Sequence, residues 1–339
     1  MRTEDFNIQV PRDMIAQVPT EPRDQSKLLV YERCSSKISH HKFYELPKLL
    51  HEGDCLVFNN TRVIPAKIRG NKHGEPMSEI VIVLLRKEGE VWESLVEVGE
   101  VEIGDIIDFT GFEGVVIRVG EKVGKRSERI IRLGISDEEK LESAGEPPIP
   151  PYIHGYKGDP EKYQTVYSKI RGSAAAPTAG LHFTEGLLEE LRKNGIKLAF
   201  VTLHVGLDTF MPVLEENPED HKMYTEFCEI PKEAAEIINE TRRNGNKVIG
   251  VGTTSVRTME SAHNGSELEP TQKWTSLYIL PGYRFKSIDG MITNFHYPKS
   301  TNLMLVSALA GLQNIRRAYE EAVIHNYRFY SFGDAMLIL

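Results

Sequence analysis

The sequence predicts an α/β protein: a large, mixed and mainly parallel α/β domain that carries an inserted antiparallel β domain. Two observations predict this class. Helical and β-branched segments alternate along the second half of the chain, whereas residues 66–134 contain short apolar runs separated by glycine-containing turns. Alternating strands and helices are typical of parallel sheets, and closely spaced strands joined by turns are typical of antiparallel barrels or sandwiches.

The inserted domain is predicted from its strands and from the segment that follows them. The strand candidates are residues 79–85 (EIVIVLL), 91–98, 106–109, 115–119 and 129–133. They precede residues 146–152 (EPPIPPY), whose prolines fix φ and cannot continue a helix or a central strand. We therefore predict one domain from residues 1–64 and 146–339, and a second, the inserted β-barrel, from residues 65–145.

The α/β domain is predicted from alternating helix and strand patterns after residue 184. Helices over about 185–194 and 232–244 are each followed by a glycine, the usual helix-ending residue. Strands are predicted over residues 197–203, 247–251 and 290–295, and a further helix from Ser300 to about Ala310. The earlier apolar runs at residues 28–31 and 55–58 are expected to join the same sheet.

Composition limits the classes of function. The 339 residues are 40% hydrophobic and 27% charged, enough for a substantial core. The formal charge of −8 argues against general, charge-driven binding of nucleic acid, so any RNA site must be a local basic patch. Three distant cysteines indicate neither a disulfide framework nor a zinc ribbon. Without a long apolar run or a signal-peptide pattern, the protein is expected in the cytoplasm.

A glycine-threonine turn follows one predicted strand, in residues 248–257 (VIGVGTTSVR). Backbone N–H groups at such a turn suit an anion: a carboxylate, a phosphate or a nucleotide edge. Arg257, one helical turn further on, could clamp a carboxylate. The same pattern also fits a helix capped by Thr253 or Thr254, with Arg257 on the surface. As a dinucleotide fingerprint it is weak, because Ser255 stands in place of the third glycine.

Three histidines lie where predicted strands or loops end. His182 closes the small-residue loop 172–184 (GSAAAPTAGLHFT), which lets a backbone approach a ligand but also fits a flexible linker. His204 and His296 each follow a predicted strand. If the strands are neighbours, the three imidazoles could line one cleft. Three imidazoles could instead hold zinc, but no HxxxH or HExxH spacing occurs, so we expect no metal.

Three carboxylates, Asp208, Glu226 and Asp334, could act as acids, bases or orienting groups, although loop carboxylates are usually solvated. The sequence contains no P-loop and no GxSxG motif, which disfavours nucleotide hydrolysis and the common hydrolases.

With these segments in order, the sequence resembles the S-adenosylmethionine:tRNA ribosyltransferase-isomerase family of queuosine biosynthesis. The matching segments are residues 21–30 (EPRDQSKLLV), 58–67 (FNNTRVIPAK), 163–167 (YQTVY), 175–183 (AAPTAGLHF), 201–206 (VTLHVG), 251–257 (VGTTSVR), 281–285 (PGYRF), 293–296 (TNFH), 299–301 (KST) and 327–336 (YRFYSFGDAM). They run over almost the whole chain. The sequence departs from the family pattern at Asn60, Ala174, Asp208, Met211 and Asn302.

The resemblance implies a large α/β domain with an inserted β-barrel, in agreement with the layout above. It also implies a reaction. The amine of 7-aminomethyl-7-deazaguanine, at the wobble position of a tRNA, receives the ribosyl moiety of S-adenosylmethionine, which isomerises to give epoxyqueuosine-tRNA, while adenine and methionine leave. S-adenosylmethionine is then a co-substrate, no metal is expected, and the partner is tRNA. We expect a monomer without membrane contact.

The implied chemistry suggests roles for individual residues. A base must remove a proton beside the sulfonium and an acid must protonate adenine, and histidines near neutrality suit both tasks. The catalytic candidates are His182, His204 and His296. The methionine end is expected at Gly252, Thr253, Thr254 and Arg257. Further substrate-binding candidates are Thr178, Gly180, Phe183, Glu226, Phe295 and Asp334. Phe183, Phe295 or Tyr283 could stack on the base, and phosphate contacts are expected from Arg23, Arg62 and Arg171.

Two other interpretations stay open at this point. The first is an S-adenosylmethionine methyltransferase, or another adenosine-ligand enzyme, that acts on RNA. The second is a catalytically silent RNA-binding module in which the barrel is the active part. Release of adenine would support ribosyl transfer, S-adenosylhomocysteine would support methylation, and the absence of any donor turnover would support the binding module.

Overall fold

The computed structural model describes residues 1–123, 126–134, 138–154, 156, 158–206 and 212–339. Two positions singled out in the sequence, Asp208 and Met211, lie outside the described residues. The chain divides into two compact units. The α/β unit contains Met1–Thr61, Pro150–Ile170 and Ala176–Leu339, and the barrel unit contains Arg62–Ile149 and Arg171–Ala175. The sequence prediction placed these boundaries after residues 64 and 145 and did not assign Arg171–Ala175 to the barrel.

The strands and helices are numbered in chain order. The strands are β1 (Lys27–Glu32), β2 (Lys37–Lys42), β3 (Cys55–Asn59), β4 (Thr61–Val63), β5 (Lys67–Lys72), β6 (Glu79–Glu88), β7 (Val91–Val98), β8 (Ile106–Phe109), β9 (Phe112–Val123), β10 (Arg126–Leu133), β11 (Gly145–Glu146), β12 (Ile170–Ser173), β13 (Lys197–Leu203), β14 (Glu226–Ile230), β15 (Val248–Val251), β16 (Thr271–Thr275), β17 (Gly290–Asn294) and β18 (Ala335–Ile338). The helices are α1 (Glu138–Ala144), α2 (Glu185–Lys193), α3 (Lys232–Arg243), α4 (Thr253–Ala262), α5 (Thr301–Ala310) and α6 (Leu312–Ile324).

The α/β unit is built on a nine-stranded sheet in the order β16-β14-β13-β3-β15-β17-β18-β1-β2. The central strands β13, β3, β15 and β17 are parallel. Antiparallel pairs flank them, β14 with β13 on one side and β18 with β17 on the other. Every residue of β3, β15 and β17 is buried. Burial on both faces explains why these strands are continuous apolar runs rather than alternating ones.

Two hydrophobic cores lie on opposite faces of this sheet. Side chains of successive strand residues point to opposite faces, so Cys55 and Val57 of β3 join one core while Leu56 and Phe58 join the other. Helices α3, α4, α5 and α6 contribute to the first core, and α2 contributes to the second. The mixed, centrally parallel sheet between helical layers confirms the predicted fold class.

Capping side chains explain where helices α2 and α5 begin. Thr184 caps α2, since its side chain accepts a hydrogen bond from the backbone N–H of Leu187 at 3.2 Å. Ser300 caps α5 in the same way through Leu303, at 3.1 Å. These helices begin where the sequence predicted them. Within the described residues, no helix combines the length and the apolar character that a membrane span requires.

The barrel unit is a closed antiparallel barrel. Strands β5, β6, β7, β10, β9 and β8 pair in that order, and β5 pairs with β8 to close the ring. Its core is filled by apolar side chains from all around the ring, among them Ile68, Ile82, Trp92, Ile107 and Ile131. The sequence left a barrel and a sandwich open. The pairing of β5 with β8 makes it a barrel, as the resemblance implied.

Candidate active site

A cleft that is open to solvent lies in the α/β unit. Its floor comes from residues that end or follow three parallel strands: Val205 after β13, residues 252–254 after β15, and residues 293–297 at the end of β17. Parallel strands bring these carboxyl ends to one edge of the sheet, where open α/β folds bind ligands. The rest of the lining is Pro150, Tyr152, Tyr163, residues 176–179, Asn302, Tyr330 and Ser331.

The described residues that line the cleft include no lysine, arginine, aspartate or glutamate. Tyrosines form one wall: the ring centroids of Tyr152 and Tyr330 are 4.9 Å apart, and Tyr297 lies 6.3 Å from Tyr152. Burial raises the pKa of Tyr152 and of Tyr330 to about 12, so both phenols stay protonated at neutral pH. Aromatic faces of this kind attract cations without carrying a charge themselves.

The glycine-threonine turn of the sequence lines the cleft at the start of α4. Gly252 has φ +87°, a conformation that favours glycine, and its N–H donates to the Ile292 carbonyl at 2.8 Å. Gly252 is the N-cap and no side chain among the described residues caps the helix, so the threonine cap considered above does not form. The first N–H groups of a helix lack partners within it. The buried Oγ1 of Thr254 also has no hydrogen-bond partner in the part of the chain that the structure describes, and this end of the cleft suits an anion.

His296 lines the cleft two residues after the end of β17. When the hydroxyl of Thr293 donates to the Asn294 carbonyl, 3.3 Å away, it accepts from Nε2 of His296 at 2.7 Å. Nδ1 then carries the lone pair, and it makes no hydrogen bond to any residue that the structure describes. Burial lowers the pKa of His296 to about 4, so the ring is neutral at pH 7. A neutral imidazole with a free Nδ1 can act as a base.

Tyr319 holds the backbone of His296. Its hydroxyl accepts from the His296 N–H at 2.6 Å and donates to the His296 carbonyl at 3.1 Å. Tyr319 lies in α6 and is fully buried. The loop after β17 is therefore held in place by the hydroxyl of Tyr319 on α6.

His182 lies behind the cleft and not in its lining. Its side chain is 4% exposed, stacks on Phe43 at 5.0 Å, and is bonded at both nitrogens: Nδ1 lies 2.9 Å from Ser26 Oγ and Nε2 lies 3.3 Å from Asn294 Nδ2. Burial, with the charges of Arg23 and Arg328, lowers its pKa to about 3. Asn294, which does line the cleft, stands between this ring and any ligand.

His204 does not line the cleft either. Its Nδ1 lies 2.8 Å from Thr61 Oγ1, its ring stacks on Phe227 at 5.5 Å, and burial lowers its pKa to about 4. The expectation that three imidazoles line one cleft therefore needs correction, since His296 alone does so among the described residues. The strand ends do meet at one edge, but side chains alternate in direction, and Val205 lines the cleft where His204 does not.

Arg257 binds a carboxylate of its own chain. Its Nη1 forms a buried ion pair with Glu226, and its Nε donates to the Leu277 carbonyl at 3.0 Å. The other carboxylate oxygen of Glu226 accepts from the Gly206 N–H at 2.8 Å. The side chains of Arg257 and Glu226 are 8% and 2% exposed, and neither lines the cleft. Both side chains are therefore engaged by groups of the protein itself, but Nη2 of Arg257 has no hydrogen-bond partner among the described residues, and contact of either residue with substrate stays a prediction.

Other predicted substrate contacts are structural as well. Asp334 accepts from the backbone N–H groups of Lys27 at 2.8 Å and Arg328 at 2.7 Å, and burial raises its pKa. Phe183 is 1% exposed and packs edge-on against Phe43 and Phe58, so it cannot stack on a base. Two further candidates also make contacts within the protein: Gly180 packs against Tyr167, and the hydroxyl of Tyr283 donates to Glu260 at 3.0 Å. By contrast, Thr178 and the buried Phe295 do line the cleft.

The three predicted phosphate-binding arginines are divided between the two units, one in the α/β unit and two in the barrel unit. Arg23, in the α/β unit, donates to the Lys162 carbonyl and covers the Phe332 ring at 5.4 Å, and burial lowers its pKa to about 10. Arg62 and Arg171 belong to the barrel unit, where Arg171 pairs with Glu142. Their contact with phosphate stays a prediction.

Several site residues were missed by the sequence reasoning. Asn294 lies inside the quoted segment TNFH, at the carboxyl end of a buried strand, and that position could have identified it. Tyr152 lies in the quoted segment 146–152, and Tyr330 and Ser331 lie in the quoted segment 327–336, but the sequence reasoning singled out none of the three. Two groups of side chains in the described part of the chain could hold a metal ion, and neither includes a residue of the cleft: His40 with Glu321 and His325, and His73 with Asp108 and Glu113.

The fold and the site together define an α/β enzyme whose ligand cleft opens at the carboxyl edge of a parallel sheet and whose chain carries an inserted barrel. The chain belongs to the queuosine biosynthesis protein family, whose model matches residues 3–338. This confirms the family identified from the sequence segments.

Individual relatives agree along their whole length. A protein from Desulfitobacterium hafniense, named S-adenosylmethionine:tRNA ribosyltransferase-isomerase, is 48% identical over 343 residues, with 100% of both chains covered. A protein of the same name from Caldanaerobacter subterraneus is 48% identical over 342 residues, also with 100% of both chains covered. The crystal structure of the S-adenosylmethionine tRNA ribosyltransferase from Thermotoga maritima is 35% identical, with a TM-score of 0.58, and the match covers 99% of this chain and 100% of that one.

Proposed function

We propose that this protein transfers and isomerises the ribosyl moiety of S-adenosylmethionine onto 7-aminomethyl-7-deazaguanine at the wobble position of a tRNA. The products are epoxyqueuosine-tRNA, adenine and methionine. Full-length similarity to relatives named for this activity supports the proposal. The observation that carries it is the cleft itself, which offers an aromatic wall, a helix N-terminus and one neutral imidazole to a single ligand.

Each part of S-adenosylmethionine has a matching surface in the cleft. The sulfonium is a cation, and the faces of Tyr152, Tyr297 and Tyr330 would stabilise it through cation–π attraction. The methionine carboxylate would accept from the N–H groups at the start of α4, beside Gly252 and Thr254. The wobble base is already single-stranded in an anticodon loop, so its entry requires little unpairing.

His296 would carry the proton transfers. Its Nδ1 lone pair would take the proton from the ribosyl carbon next to the sulfonium, whose positive charge acidifies that position. The imidazolium formed would return the proton to adenine as its glycosidic bond breaks. No metal is required, because the ligand supplies the positive charge. We further propose that the protein acts on tRNA in the cytoplasm as a monomer, which sedimentation of the purified protein would check.

The decisive experiment incubates the protein with labelled S-adenosylmethionine and tRNA bearing 7-aminomethyl-7-deazaguanine. We expect free adenine, methionine and a heavier wobble nucleoside, and we expect the same yield with a chelator present. S-adenosylhomocysteine would instead indicate methyl transfer, and tRNA binding without any donor turnover would indicate an RNA-binding module.

Matched histidine variants test the assignment within the cleft. His296→Gln should reduce turnover at least about a hundredfold, as removal of a general base does. His204→Gln should change turnover far less, since His204 lies outside the lining. Equal losses in the two variants would refute the role given to His296.

A further inference from the structure

A buried chain of hydrogen bonds runs from the core to the wall of the cleft. Ser26 Oγ lies 2.9 Å from His182 Nδ1, His182 Nε2 lies 3.3 Å from Asn294 Nδ2, and Thr178 Oγ1 lies 3.0 Å from Asn294 Oδ1. Thr178 and His182 are the first and last residues of one 3-10 turn, so Asn294 joins its two ends. The mechanism proposed above uses none of these bonds.

The direction of every bond in this chain follows from one carbonyl. Asn294 Nδ2 lies 3.2 Å from the carbonyl oxygen of Tyr330, which can only accept, so the amide nitrogen must face it. The second hydrogen of Nδ2 then points to His182 Nε2, which must be unprotonated. The proton of His182 is therefore on Nδ1, where it is donated to Ser26. At the other end, Asn294 Oδ1 can only accept, so Thr178 donates its single hydroxyl proton to it.

We propose that Thr178 is an acceptor-only subsite of the cleft, which receives an N–H group of the substrate, and that His182 is a positioning residue that holds this polarity through Asn294. The proposal rests on the proposed function for the identity of the ligand. Three reactant groups have the required chemistry: the 6-amino group of adenine, the α-ammonium of the methionine portion, and the aminomethyl group of the base.

Burial makes the polarity of Thr178 permanent. Ser26, His182 and Asn294 are all buried, so water cannot take the place of a partner that turns away. If Thr178 donated to a ligand instead, Asn294 Oδ1 would lose its partner in a buried site. Thr178 therefore discriminates between ligand groups: it favours N–H and disfavours a carbonyl or carboxylate oxygen at the same position.

The N–H groups at the start of α4, close to Thr178, have the opposite preference and favour an acceptor on the ligand. A Cβ added to Gly252, at the start of α4, would come within 3.6 Å of the Cβ of Ala179, the neighbour of Thr178. Donors at the helix start and an acceptor at Thr178 thus adjoin in one cleft. Such a pair of subsites can orient a ligand that carries an anionic and an N–H group, although the residues that line it are uncharged.

The first test reads the hydrogen-bond chain in the ligand-free protein. Histidine-selective 15N labelling and two-dimensional NMR should show His182 with protonated Nδ1 and unprotonated Nε2 from about pH 5 to about pH 8. In Asn294→Asp, whose carboxylate can only accept, Nε2 should become protonated. A His182 that carries its proton on Nε2 in the unmodified protein would overturn the proposal.

The second test measures ligand binding by calorimetry with Thr178→Val and Thr178→Ser. The probes are S-adenosylmethionine, its analogue with hydrogen in place of the 6-amino group, its analogue without the α-amino group, and the free base 7-aminomethyl-7-deazaguanine. We expect Thr178→Val to weaken binding of S-adenosylmethionine or of the base about tenfold, the loss typical of one hydrogen bond to an amine, and Thr178→Ser to retain affinity.

The analogues identify the source of the N–H group. One analogue lacks the N–H group that donates to Thr178. The Thr178→Val variant and the unmodified protein should bind that analogue with equal affinity. Equal weakening of all four probes, or of none, would overturn the subsite. If the unmodified protein binds none of the probes, the proposed function fails and the subsite with it, while the NMR result still decides whether His182 positions Asn294.

A variant pair separates positioning from mere packing. His182→Gln can still accept from Asn294 and donate to Ser26, whereas His182→Leu can do neither. With both variants shown to be folded by circular dichroism, we expect glutamine to restore the tenfold affinity that leucine loses. Equal affinity in the two variants would assign His182 to packing alone and overturn its positioning role.

Discussion

Glu226→Gln should destabilise the α/β unit by about 3 kcal/mol, the lower end of the range for breaking a buried ion pair. The structure gives the reason for the lower end. The glutamine oxygen can still accept from the Gly206 N–H, and Arg257 keeps its bond to the Leu277 carbonyl. What is lost is the counter-charge of a guanidinium that is 8% exposed and whose Nη2 has no hydrogen-bond partner among the described residues. The guanidinium would keep its positive charge in a buried position without its carboxylate partner.

Tryptophan fluorescence during urea unfolding measures this loss. The chain has two tryptophans, and Trp274 on β16 pairs with Phe227 on β14, next to Glu226. In a Trp92→Phe background, Trp274 reports the α/β unit alone, since Trp92 lies in the barrel unit. The control is Glu229→Gln, a matched change on the same strand, which should alter the free energy of unfolding by no more than about 0.5 kcal/mol.

A double substitution completes the test. Glu226→Gln combined with Arg257→Met removes both charges, and it should destabilise less than the sum of the single changes because no unpaired charge is left in the core. If Glu226→Gln is no more destabilising than Glu229→Gln, or if the two single effects simply add, then the ion pair does not stabilise this part of the fold as argued.

Lowering the pH from about 6.5 to about 4 should reduce the free energy of unfolding. In the folded protein, burial lowers the pKa of His182 to about 3 and the pKa of His204 and of His296 to about 4. The histidines of the unfolded chain bind protons near pH 6.5, so protons favour the unfolded state over this range. Urea titrations at each pH measure this, and His182→Gln should flatten the profile. Gly180→Ala should lower the melting temperature, since a Cβ there overlaps the Tyr167 hydroxyl, whereas Gly186→Ala, with open space around it, should not. Tyr319→Phe removes both hydroxyl bonds to the His296 backbone; it should destabilise by about 1–3 kcal/mol and lower kcat, while the same change at Tyr327 should leave kcat unaltered.

Features set by local sequence could be predicted from the chain alone. Helix α2 begins at its threonine cap, and the strands β13 and β15 lie within the predicted apolar runs, because caps and periodicity act over a few residues. Closure of the barrel could not be predicted in this way. It depends on pairing between β5 and β8, which are distant in sequence, and their residues read equally well as a sandwich.

The candidate site divides along the same line. The glycine-threonine turn was predicted to face a ligand and does line the cleft, because a strand, a turn and a helix start are local. Arg257 was assigned to a ligand carboxylate, whereas its partner Glu226 comes from an antiparallel strand 31 residues away. Side-chain direction at a strand end depends on the pleat and on packing, which is why His204 and His296, each directly after a predicted strand, face different surroundings.

The described residues that line the cleft include no lysine, arginine, aspartate or glutamate, and this matters for the proposed reaction. The reaction begins with loss of a proton from the carbon next to a sulfonium, and the positive charge of sulfur is what makes that proton acidic. A carboxylate against the sulfonium would stabilise the cation before the proton leaves and would lower its acidity. Tyrosine faces hold the cation more weakly, and a neutral His296 takes the proton without opposing charge. Glu226 is paired with Arg257 and lies outside the described lining, so under the proposed function it would place no free carboxylate against the sulfonium.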